Sequence, residues 1–393
     1  MKFDHILIHY GEIALKGKNR AFFEVQLIAN IKSQLEAFAP GSFEDVKKAY
    51  GSIIVKLTEK GIQEKEQVTK ALGHTFGIVN FSFAASLSHD IEEIKQACWE
   101  MLKSGDFQSF RITSTRSNKQ FPLTSEQLNR EIGEFIFENF QRTKKVDLKN
   151  PEVQCFIHIL NKIALVSSKK LKGPGGLPVG TGSKAMVLMS GGFDSPIAAW
   201  QVLKRGVSLR YAHFHSIPYT SRESLEKVQD LVKVLKTYGT SGKIYSIPFA
   251  DVQKHIMMNC PQSLRVILYR RFMMRIAEAL ARKEKCLALV TGDSIGQVAS
   301  QTLENIFAVS EAATMPIFRP LIGEDKEEIM QKAREIGTYD ISKLPHDDCC
   351  TRLMPKNPET RARLADVLEA EKNLDIEKLV QETLAKTERI DVE

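Results

Sequence analysis

Cysteine is scarce in this sequence, and its arrangement excludes two classes of protein. The 393 residues include 6 cysteines, and no two of them form a C-x-x-C pair. Small secreted domains held together by disulfides use cysteine far more densely, and structural zinc sites need cysteines at that short spacing. We therefore expect a reduced, cytoplasmic protein without a structural metal site.

Long hydrophobic runs are absent as well. No stretch approaches the roughly 20 apolar residues of a membrane-spanning helix, and the N-terminus MKFDHILIHYGE is too short and too charged for a signal peptide. A hydrophobic fraction of 43% and a charged fraction of 26% are ordinary for globular domains, of which this length allows two or three. The net charge of +7 favours a polyanionic partner, although many basic enzymes bind no nucleic acid. We expect no contact with a membrane.

The glycine loop at residues 190–195, SGGFDS, lacks the lysine that a Walker A loop would carry. The apolar run 185–189 before it has the length of a strand, and Pro196 after it favours the first turn of a helix. A strand, a glycine turn and a helix N-terminus together form an anion site, most simply for phosphate. Without the lysine, the loop is suited to hold a pyrophosphate leaving group and not a γ-phosphoryl group in transfer. Its serines would donate hydrogen bonds and Asp194 would bind Mg²⁺; the alternative is an ordinary turn of an α/β fold.

The N-terminal part of the sequence alternates predicted strands and helices in the order βαββαβ, which is typical of a ferredoxin-like module. Its first helix, Arg20–Phe38, has apolar residues at helical intervals, which we expect to face the core: Phe22, Val25, Ile28, Ile31 and Leu35. The loop before this helix carries Lys16, Lys18 and Arg20. These cations either contact phosphates or lie in a solvated turn.

A second module extends to the glycine- and proline-rich segment 171–182, which is the clearest linker of the chain. We expect Ser125 to cap its helix 125–140. The module is rich in cations, which suit a polyanionic partner, among them Arg111, Arg116, Lys119, Lys144 and Lys145.

After the linker, strands and helices alternate in a way that predicts a doubly wound parallel sheet. Such sheets bind ligands at the carboxyl ends of their strands, so the 190–195 loop, the segment 213–216 and the polar loop 292–301 would share one edge. Within the last of these we expect the glycine loop to end at Gln297 and a helix to follow through Thr302. We also expect a polar helix at 375–389.

Four segments resemble, in this order, one family, the tRNA 4-thiouridine synthetases (tRNA sulfurtransferases). They are YGEIALKGKNR, the pair RSNKQFP and VDLKNPEV, SGGFDSPIA, and TGDSIGQVASQT. The middle pair is similar to a THUMP domain, and SGGFDS is similar to the PP-loop of ATP pyrophosphatases. The resemblance implies a ferredoxin-like domain at 1–75, a THUMP domain at 76–172 and an adenylating PP-loop domain at 173–393.

The resemblance also implies a reaction and its ligands. ATP adenylates O4 of the uridine at position eight of tRNA, pyrophosphate leaves, and a persulfide sulfur then displaces AMP from C4. Mg²⁺ would accompany the ATP, and Asp194 would be catalytic. The THUMP domain would hold the acceptor arm of tRNA, which makes the cations named above the expected RNA-binding residues. The nucleotide ligands that carry over are Leu188, Met189, Ser190, Gly191, Gly192, Asp194, Ser195, His213, Phe214, Arg270, Gly292 and Gln301.

The sequence departs from some members of the family in the route of the sulfur. Those members carry the persulfide on a C-terminal rhodanese-like domain, whereas no cysteine follows Cys350 here. We expect the short form, in which Cys349 and Cys350 relay sulfur from a cysteine desulfurase; the alternative is a buried structural pair. A homodimer and a supply of sulfur to thiamine thiazole synthesis stay open.

Two other functions also stay open. Another PP-loop ligase that modifies a different tRNA base would share the C-terminal half, but it would have no reason to carry the N-terminal loop and the THUMP-like module. A non-catalytic RNA-binding protein with an inactive nucleotide fold is disfavoured by the intact Ser190, Asp194 and Ser195. Pyrophosphate release on addition of ATP and tRNA would distinguish an enzyme from such a binding protein.

Overall fold

The computed structural model describes residues 1–49, 51–219, 221–345 and 358–393. The chain forms two compact units, Met1–Pro178 and Val179–Glu393, which we call unit 1 and unit 2. The domain boundaries expected at 75/76 and 172/173 stay predictions. Within the described ranges, no helix combines the length and the apolar character needed to cross a membrane.

The first half of unit 1 is an antiparallel sheet packed against helices. Its elements are β1 (His5–Tyr10), α1 (Arg20–Phe38), β2 (Phe43–Ala49), β3 (Ser52–Leu57), α2 (Glu59–Gln63), α3 (Lys65–Gly73) and β4 (Ile78–Leu87). The strands lie in the order β2-β3-β1-β4, and neighbouring strands are antiparallel. This arrangement confirms the ferredoxin-like prediction.

Helix α1 buries the predicted apolar face only over its later turns, where Ile31 and Leu35 are fully buried as expected. Phe22 and Val25, expected in the core, are 54% and 68% exposed, whereas Glu24 is 1% exposed. The Glu24 carboxylate accepts a hydrogen bond from the Tyr10 hydroxyl at 2.5 Å and one from Arg20 Nε at 2.8 Å. A carboxylate that is paired in this way can be buried at a position that an apolar pattern leaves to the solvent.

The second half of unit 1 continues the same sheet. Its elements are α4 (Ile91–Leu102), β5 (Ser109–Arg116), α5 (Ser125–Asn139), β6 (Lys145–Val146), β7 (Val153–Ile159), β8 (Ala164–Ser167) and β9 (Leu171–Lys172). Strand β4 joins the halves, because it pairs with β1 on one side and β8 on the other. The cap predicted at Ser125 is wrong: Thr124 caps α5 by accepting from the backbone N–H of Gln127, whose side chain bonds back to the Thr124 N–H.

Unit 2 is a doubly wound sheet flanked by helices, as predicted. Its first elements are β10 (Lys184–Leu188), α6 (Asp194–Leu203), β11 (Ser208–His215), α7 (Glu223–Lys236), β12 (Lys243–Pro248), α8 (Ala250–Asn259), α9 (Arg265–Lys283) and β13 (Cys286–Val290). The later elements are α10 (Leu303–Ser310), β14 (Ile317–Phe318), α11 (Lys326–Ile336), α12 (Tyr339–Lys343), α13 (Leu364–Glu371), α14 (Ile376–Ala385) and β15 (Glu388–Asp391).

The strand order of unit 2, β14-β13-β10-β11-β12-β15, places a switch in direction beside β10. The chain adds β11 and β12 on one side of β10, and then β13 and β14 on the other; these five strands are parallel. A crevice opens where successive connections diverge, at the carboxyl ends of β10 and β13. The residues that follow these two strands are therefore the expected ligands of this unit.

Two local expectations for unit 2 are wrong. The loop 292–301 ends in a short 3₁₀ turn, Ala299–Gln301, and Thr302 caps α10 instead of lying within a helix. The predicted polar helix at 375–389 is shorter, because α14 ends at Ala385 and β15 follows as an antiparallel edge strand against β12.

Candidate active site

The loop between β10 and α6 is closed by its own serines. Ser195 Oγ accepts from the backbone N–H of Ser190 at 3.0 Å and donates to the Ser190 carbonyl at 3.1 Å, and the two hydroxyl oxygens lie 3.2 Å apart. The Ser190 hydroxyl also accepts from Gly192 N–H at 3.4 Å. The serines thus fix the shape of the turn in advance of any ligand, beside the N-terminus of α6.

A cavity of about 190 Å³ opens at the carboxyl ends of β10 and β13. It is lined by residues predicted from the sequence, namely Leu188, Ser190, Asp194, Ser195, Arg270, Gly292 and Gln301. It is also lined by Met273, Met274, Thr291 and Asp293, which the prediction did not include. Larger cavities of about 1010 and 620 Å³ lie in unit 1 and contain none of the expected nucleotide ligands.

Gly292 lets the strand end of β13 touch the N-terminus of α6. A Cβ at this position would lie 2.8 Å from the carbonyl carbon of Asp194 and 2.8 Å from the amide nitrogen of Ser195. Both contacts are to backbone, so any side chain would displace the turn that the serines hold. Gly292 therefore acts on the site by permitting this close approach.

Asp194, the first residue of α6, is half-buried and lines the cavity. Its Oδ2 accepts from Gln297 Nε2 at 3.1 Å. Burial raises the pKa of Asp194, and the bond from Gln297 and the positive charge of Lys326 oppose that shift. Lys326, the first residue of α11, was not foreseen from the sequence, since nothing in its neighbourhood marks it; only the fold brings its charge toward Asp194.

Asp293 is the centre of a charge network on the inner wall of the cavity. It is 3% exposed, forms an ion pair with Arg270, and accepts from Arg319 Nε at 3.1 Å and from Thr291 Oγ1 at 2.8 Å. Burial alone would raise the pKa of Asp293, but the two arginines and Thr291 outweigh it and lower the pKa to about 2. A carboxylate compensated in this way holds Arg270 in place beside the cavity.

The Gln301 side chain is suited to accept a hydrogen bond from a ligand in the cavity. It is 8% exposed and its Nε2 lies 3.4 Å from Asp293 Oδ1. Its Oε1 is buried and accepts no hydrogen bond within the part of the chain that the structure describes. A buried oxygen without a donor favours a ligand that supplies one, such as an amino group of a nucleobase.

Met189, His213 and Phe214 are buried at the carboxyl ends of β10 and β11, next to the strand ends that open into the cavity. His213 is 3% exposed; its Nδ1 donates to the Met189 carbonyl at 3.0 Å, and the Ser224 hydroxyl lies 3.3 Å from its Nε2. Phe214 packs edge-on against Phe249, with ring centroids 5.4 Å apart. The bond from His213 to Met189 joins the ends of β11 and β10, and the roles of these three residues as nucleotide ligands stay predictions.

The cations predicted to bind RNA fall into two groups in unit 1. Lys18, Lys119 and Lys145 are exposed, and their ammonium groups form none of the salt bridges seen among the described residues. Lys16 lies over the ring of Phe23, 5.1 Å from its centroid. This first group is accessible to a polyanion.

The second group of cations is bonded within unit 1. Arg116 Nη1 donates to the carbonyls of Phe121 and Leu123 at 3.0 and 2.6 Å. Arg111 donates to the Leu148 carbonyl at 2.8 Å, and Lys144 donates to the Phe107 carbonyl. Arg20 is paired with Glu24. These four side chains have a structural use beside any contact with RNA.

The predicted sulfur-carrying pair, Cys349 and Cys350, lies outside the described residues. The cysteines within the described ranges, Cys98, Cys155, Cys260 and Cys286, are all buried and free of disulfides. Burial raises the pKa of Cys260, and it raises that of Cys286 to about 11. Thiols held in this way are poor nucleophiles.

Comparisons with known families cover almost the whole chain. The family described as "Thiamine biosynthesis protein (ThiI)" matches residues 180–376. The ThiI ferredoxin-like domain matches residues 5–82, and the THUMP domain matches residues 88–169.

Individual proteins are similar over their full length. A probable tRNA sulfurtransferase of Caldanaerobacter subterraneus subsp. tengcongensis is 44% identical over 377 residues, which are 96% of this chain and 97% of that protein. One of Moorella thermoacetica is 42% identical over 388 residues, with 99% and 97% coverage. A crystal structure of a 4-thiouridine synthetase–RNA complex with bound ATP superimposes with a TM-score of 0.86, at 36% identity and 99% coverage of both chains.

Proposed function

Because the chain belongs to the ThiI family of tRNA sulfurtransferases, we propose that it uses ATP to convert the uridine at position eight of tRNA to 4-thiouridine. The O4 oxygen of the uridine attacks the α-phosphorus of ATP, and the bond to pyrophosphate breaks. A persulfide sulfur then attacks C4, the C4–O4 bond breaks, and AMP leaves. A second thiol cleaves the S–S bond that remains and is itself oxidised, so turnover consumes a thiol reductant.

The cavity at the switch point is the observation that carries this proposal. Its walls combine a turn fixed by Ser190 and Ser195, the helix N-terminus of α6, and a glycine that no side chain could replace without displacing that turn. Donors that are held in position before the reaction can stabilise the negative charge of leaving pyrophosphate without reorganisation. The buried Oε1 of Gln301 would accept from the adenine amino group.

Asp194 is the residue that we propose to hold Mg²⁺ next to the phosphates. Carboxylate and phosphate oxygens are the ligands that Mg²⁺ prefers, and the ion would neutralise the developing charge of pyrophosphate. Asp293 does not fit this role, because two arginines occupy its oxygens. We assign Asp194 to the ion and Asp293 to the orientation of Arg270.

We assign tRNA binding to unit 1. The exposed Lys18, Lys119 and Lys145, with Lys16, would contact phosphates, and the THUMP domain at 88–169 would bind the acceptor arm. Double-stranded RNA hides its base edges in a deep groove, so recognition would follow the shape of the tRNA.

We also propose that Cys349 and Cys350 relay the sulfur. The described cysteines are buried, which leaves this pair as the candidates of the chain. Ser342 Oγ donates to the Gly192 carbonyl at 3.2 Å, and Pro345 is the last described residue before the pair.

The far end of the same segment is also fixed near the cavity. The Glu359 carbonyl accepts from Asn305 Nδ2 at 2.8 Å, and the Thr360 carbonyl accepts from Thr302 Oγ1 at 2.7 Å. Thr302 directly follows Gln301, which lines the cavity. These attachments keep both ends of the segment close to the proposed adenylate.

The remaining assignments concern the setting of the reaction. A cysteine desulfurase in the cytoplasm would supply the persulfide, and a homodimer would be compatible with the reaction. The family description names thiamine biosynthesis, and the same persulfide chemistry would serve thiazole formation. A thiazole requirement in a deletion strain tests that second role.

The proposal is tested by mass analysis of nucleosides from tRNA treated with the protein, ATP and a persulfide donor. We expect one 4-thiouridine per tRNA, and none in a tRNA that carries cytidine at position eight. Thiolation of the cytidine variant at a different uridine would contradict the assigned position. No thiolation of either tRNA would contradict the activity.

A further inference from the structure

A buried lysine of α7 is bonded to backbone carbonyls at the end of α12. Lys227 is 5% exposed, and its Nζ donates to the carbonyls of Ser342 at 2.8 Å and Leu344 at 2.6 Å. The last carbonyls of a helix have no partner within the helix and carry a partial negative charge. They compensate the buried ammonium, which fixes the C-terminal end of α12 to α7.

Helix α12 in turn contacts the loop between β10 and α6. Ser342 is 4% exposed and its hydroxyl donates to the Gly192 carbonyl at 3.2 Å. The rings of Phe193 and Tyr339 lie 5.3 Å apart. One lysine thus connects α7, α12 and the proposed pyrophosphate loop.

The bond from Ser342 sets the orientation of one peptide group in that loop. Gly192 has no side chain to restrict its backbone, so its peptide plane depends on hydrogen bonds. The C=O and N–H of a trans peptide point in opposite directions, so the Phe193 N–H is turned away from α12. Backbone N–H groups before a helix are the donors that bind phosphate.

We propose that Lys227 and Ser342 are positioning residues for this loop, which they hold in the orientation that binds pyrophosphate. The inference rests on the proposed function, because it takes pyrophosphate as the ligand of the loop. The serines at 190 and 195 hold one side of the turn, and the pair Lys227–Ser342 holds the other.

The test compares Lys227→Met and Ser342→Ala with Lys233→Met in the full-length protein. Lys233 lies on the same helix, is 56% exposed and pairs with Asp230 at the surface. We measure tRNA-dependent pyrophosphate release at varied ATP and at varied tRNA, the affinity for inorganic pyrophosphate without tRNA, and thermal unfolding. Ser342→Ala removes one hydroxyl and leaves little cavity, so it tests the proposal even where Lys227→Met fails to fold.

We expect Ser342→Ala to lower kcat/KM for ATP and the affinity for pyrophosphate about tenfold, with the KM for tRNA and the unfolding temperature unchanged. Lys227→Met should lower the same two quantities further, and the double variant should lose less than the product of both effects. Lys233→Met should behave as the wild type.

Two results would overturn the proposal: wild-type pyrophosphate release and binding in both variants, or normal release with reduced thiolation, which would place Lys227 in the sulfur step. A wild-type protein that releases no pyrophosphate with tRNA would contradict the proposed function instead. The affinity for pyrophosphate would then decide alone whether Lys227 and Ser342 position the loop.

Discussion

The charged side chains proposed to bind ligands are arranged in opposite ways in unit 1 and unit 2. In unit 2, Asp293 is 3% exposed and bonded to two arginines, and Lys227 is 5% exposed and bonded to two carbonyls. In unit 1, Lys18 and Lys119 lie exposed. Chemistry on a small ligand needs groups that are oriented in advance, whereas binding to a polyanion needs cations that phosphates can reach. The contrast predicts that substitutions in unit 2 change turnover and substitutions in unit 1 change affinity for tRNA.

The largest effect should come from Asp194, where unit 2 places its proposed metal ligand. Asp194→Asn keeps the shape and removes the charge, and we expect thiolation to fall at least about 10³-fold because stabilisation of leaving pyrophosphate is lost. The affinity for tRNA should stay at the wild-type value. Asp230→Asn, a change at an exposed carboxylate of the same unit, serves as the control. Normal turnover in a folded Asp194→Asn protein would remove this loop from the mechanism.

The next largest effect should come from a substitution that changes the shape of the turn and removes no charge. Gly292→Ala places a Cβ 2.8 Å from the backbone of Asp194 and Ser195, so the turn must shift. We expect kcat/KM for ATP to fall about 100-fold, the usual result of a 1 Å misplacement in an active site. Gly323→Ala is the matched control, because nothing lies within 4 Å of its Cβ. Equal activity of the two variants would show that the contact does not shape the site.

A smaller effect is expected when exposed cations of unit 1 are removed. Changing Lys18, Lys119 and Lys145 to Ala should weaken tRNA binding and lower the salt slope of log K by about 1 for each lysine that contacts a phosphate. The kcat at saturating tRNA should not change. Affinity measured against salt concentration gives the slope, and Lys103→Ala, a change at a lysine paired with Glu100, is the control. An unchanged slope in the triple variant would place the tRNA elsewhere.

Arg116 is a cation of unit 1 whose removal should change stability. Because its guanidinium donates to two carbonyls, we expect Arg116→Ala to lower the free energy of unfolding by roughly 2 kcal/mol. Denaturant unfolding of unit 1 measures this change. A variant that loses tRNA affinity without losing stability would move Arg116 to the group of exposed cations.

The last effect concerns His158, a partly buried histidine of unit 1 whose Nδ1 lies 2.7 Å from the Thr115 hydroxyl oxygen. Burial, with the nearby His9 and Lys170, lowers the pKa of His158 to about 4. The unfolded chain then binds more protons than the folded one below pH 6.5, so stability falls as the pH drops from 6.5 toward 4. We expect a loss of about 2 kcal/mol in unit 1 between pH 7 and pH 4.5.

The two tryptophans of the chain allow this loss of stability to be measured in unit 1 alone. Trp99 lies in unit 1 and Trp200 in unit 2, so a Trp200→Phe background reports unit 1 by fluorescence during urea unfolding. His158→Gln should remove most of the pH dependence, and the exposed His255→Gln should remove none. A pH dependence that survives in His158→Gln would assign it to other groups.

The parts of the site that follow one another in the chain could be predicted from the sequence. The turn 190–195 lies between a strand and a helix whose apolar pattern and proline mark them locally, and the strand ends bearing Gly292 and His213 follow from the same alternation. The fold class of both units could be predicted because it follows from the order of strands and helices along the chain, and the structure confirms it.

The parts that depend on distant partners could not be predicted. Asp293 is compensated by arginines 23 and 26 residues away, and Lys227 meets Ser342 at a separation of 115 residues. The first turns of α1 were predicted wrongly, since Glu24 is buried there with Tyr10, Arg20 and Lys48 bonded to it. Burial of a charge depends on partners that a periodic pattern does not contain.

The products formed from ATP test the central claim most directly. A loop without the Walker lysine, closed by two serines at a helix N-terminus, should release pyrophosphate. With tRNA and a persulfide donor, we predict one pyrophosphate and one AMP for each 4-thiouridine formed, measured by chromatography of labelled nucleotide beside nucleoside mass analysis. ADP and inorganic phosphate in the same ratio to 4-thiouridine would contradict the account.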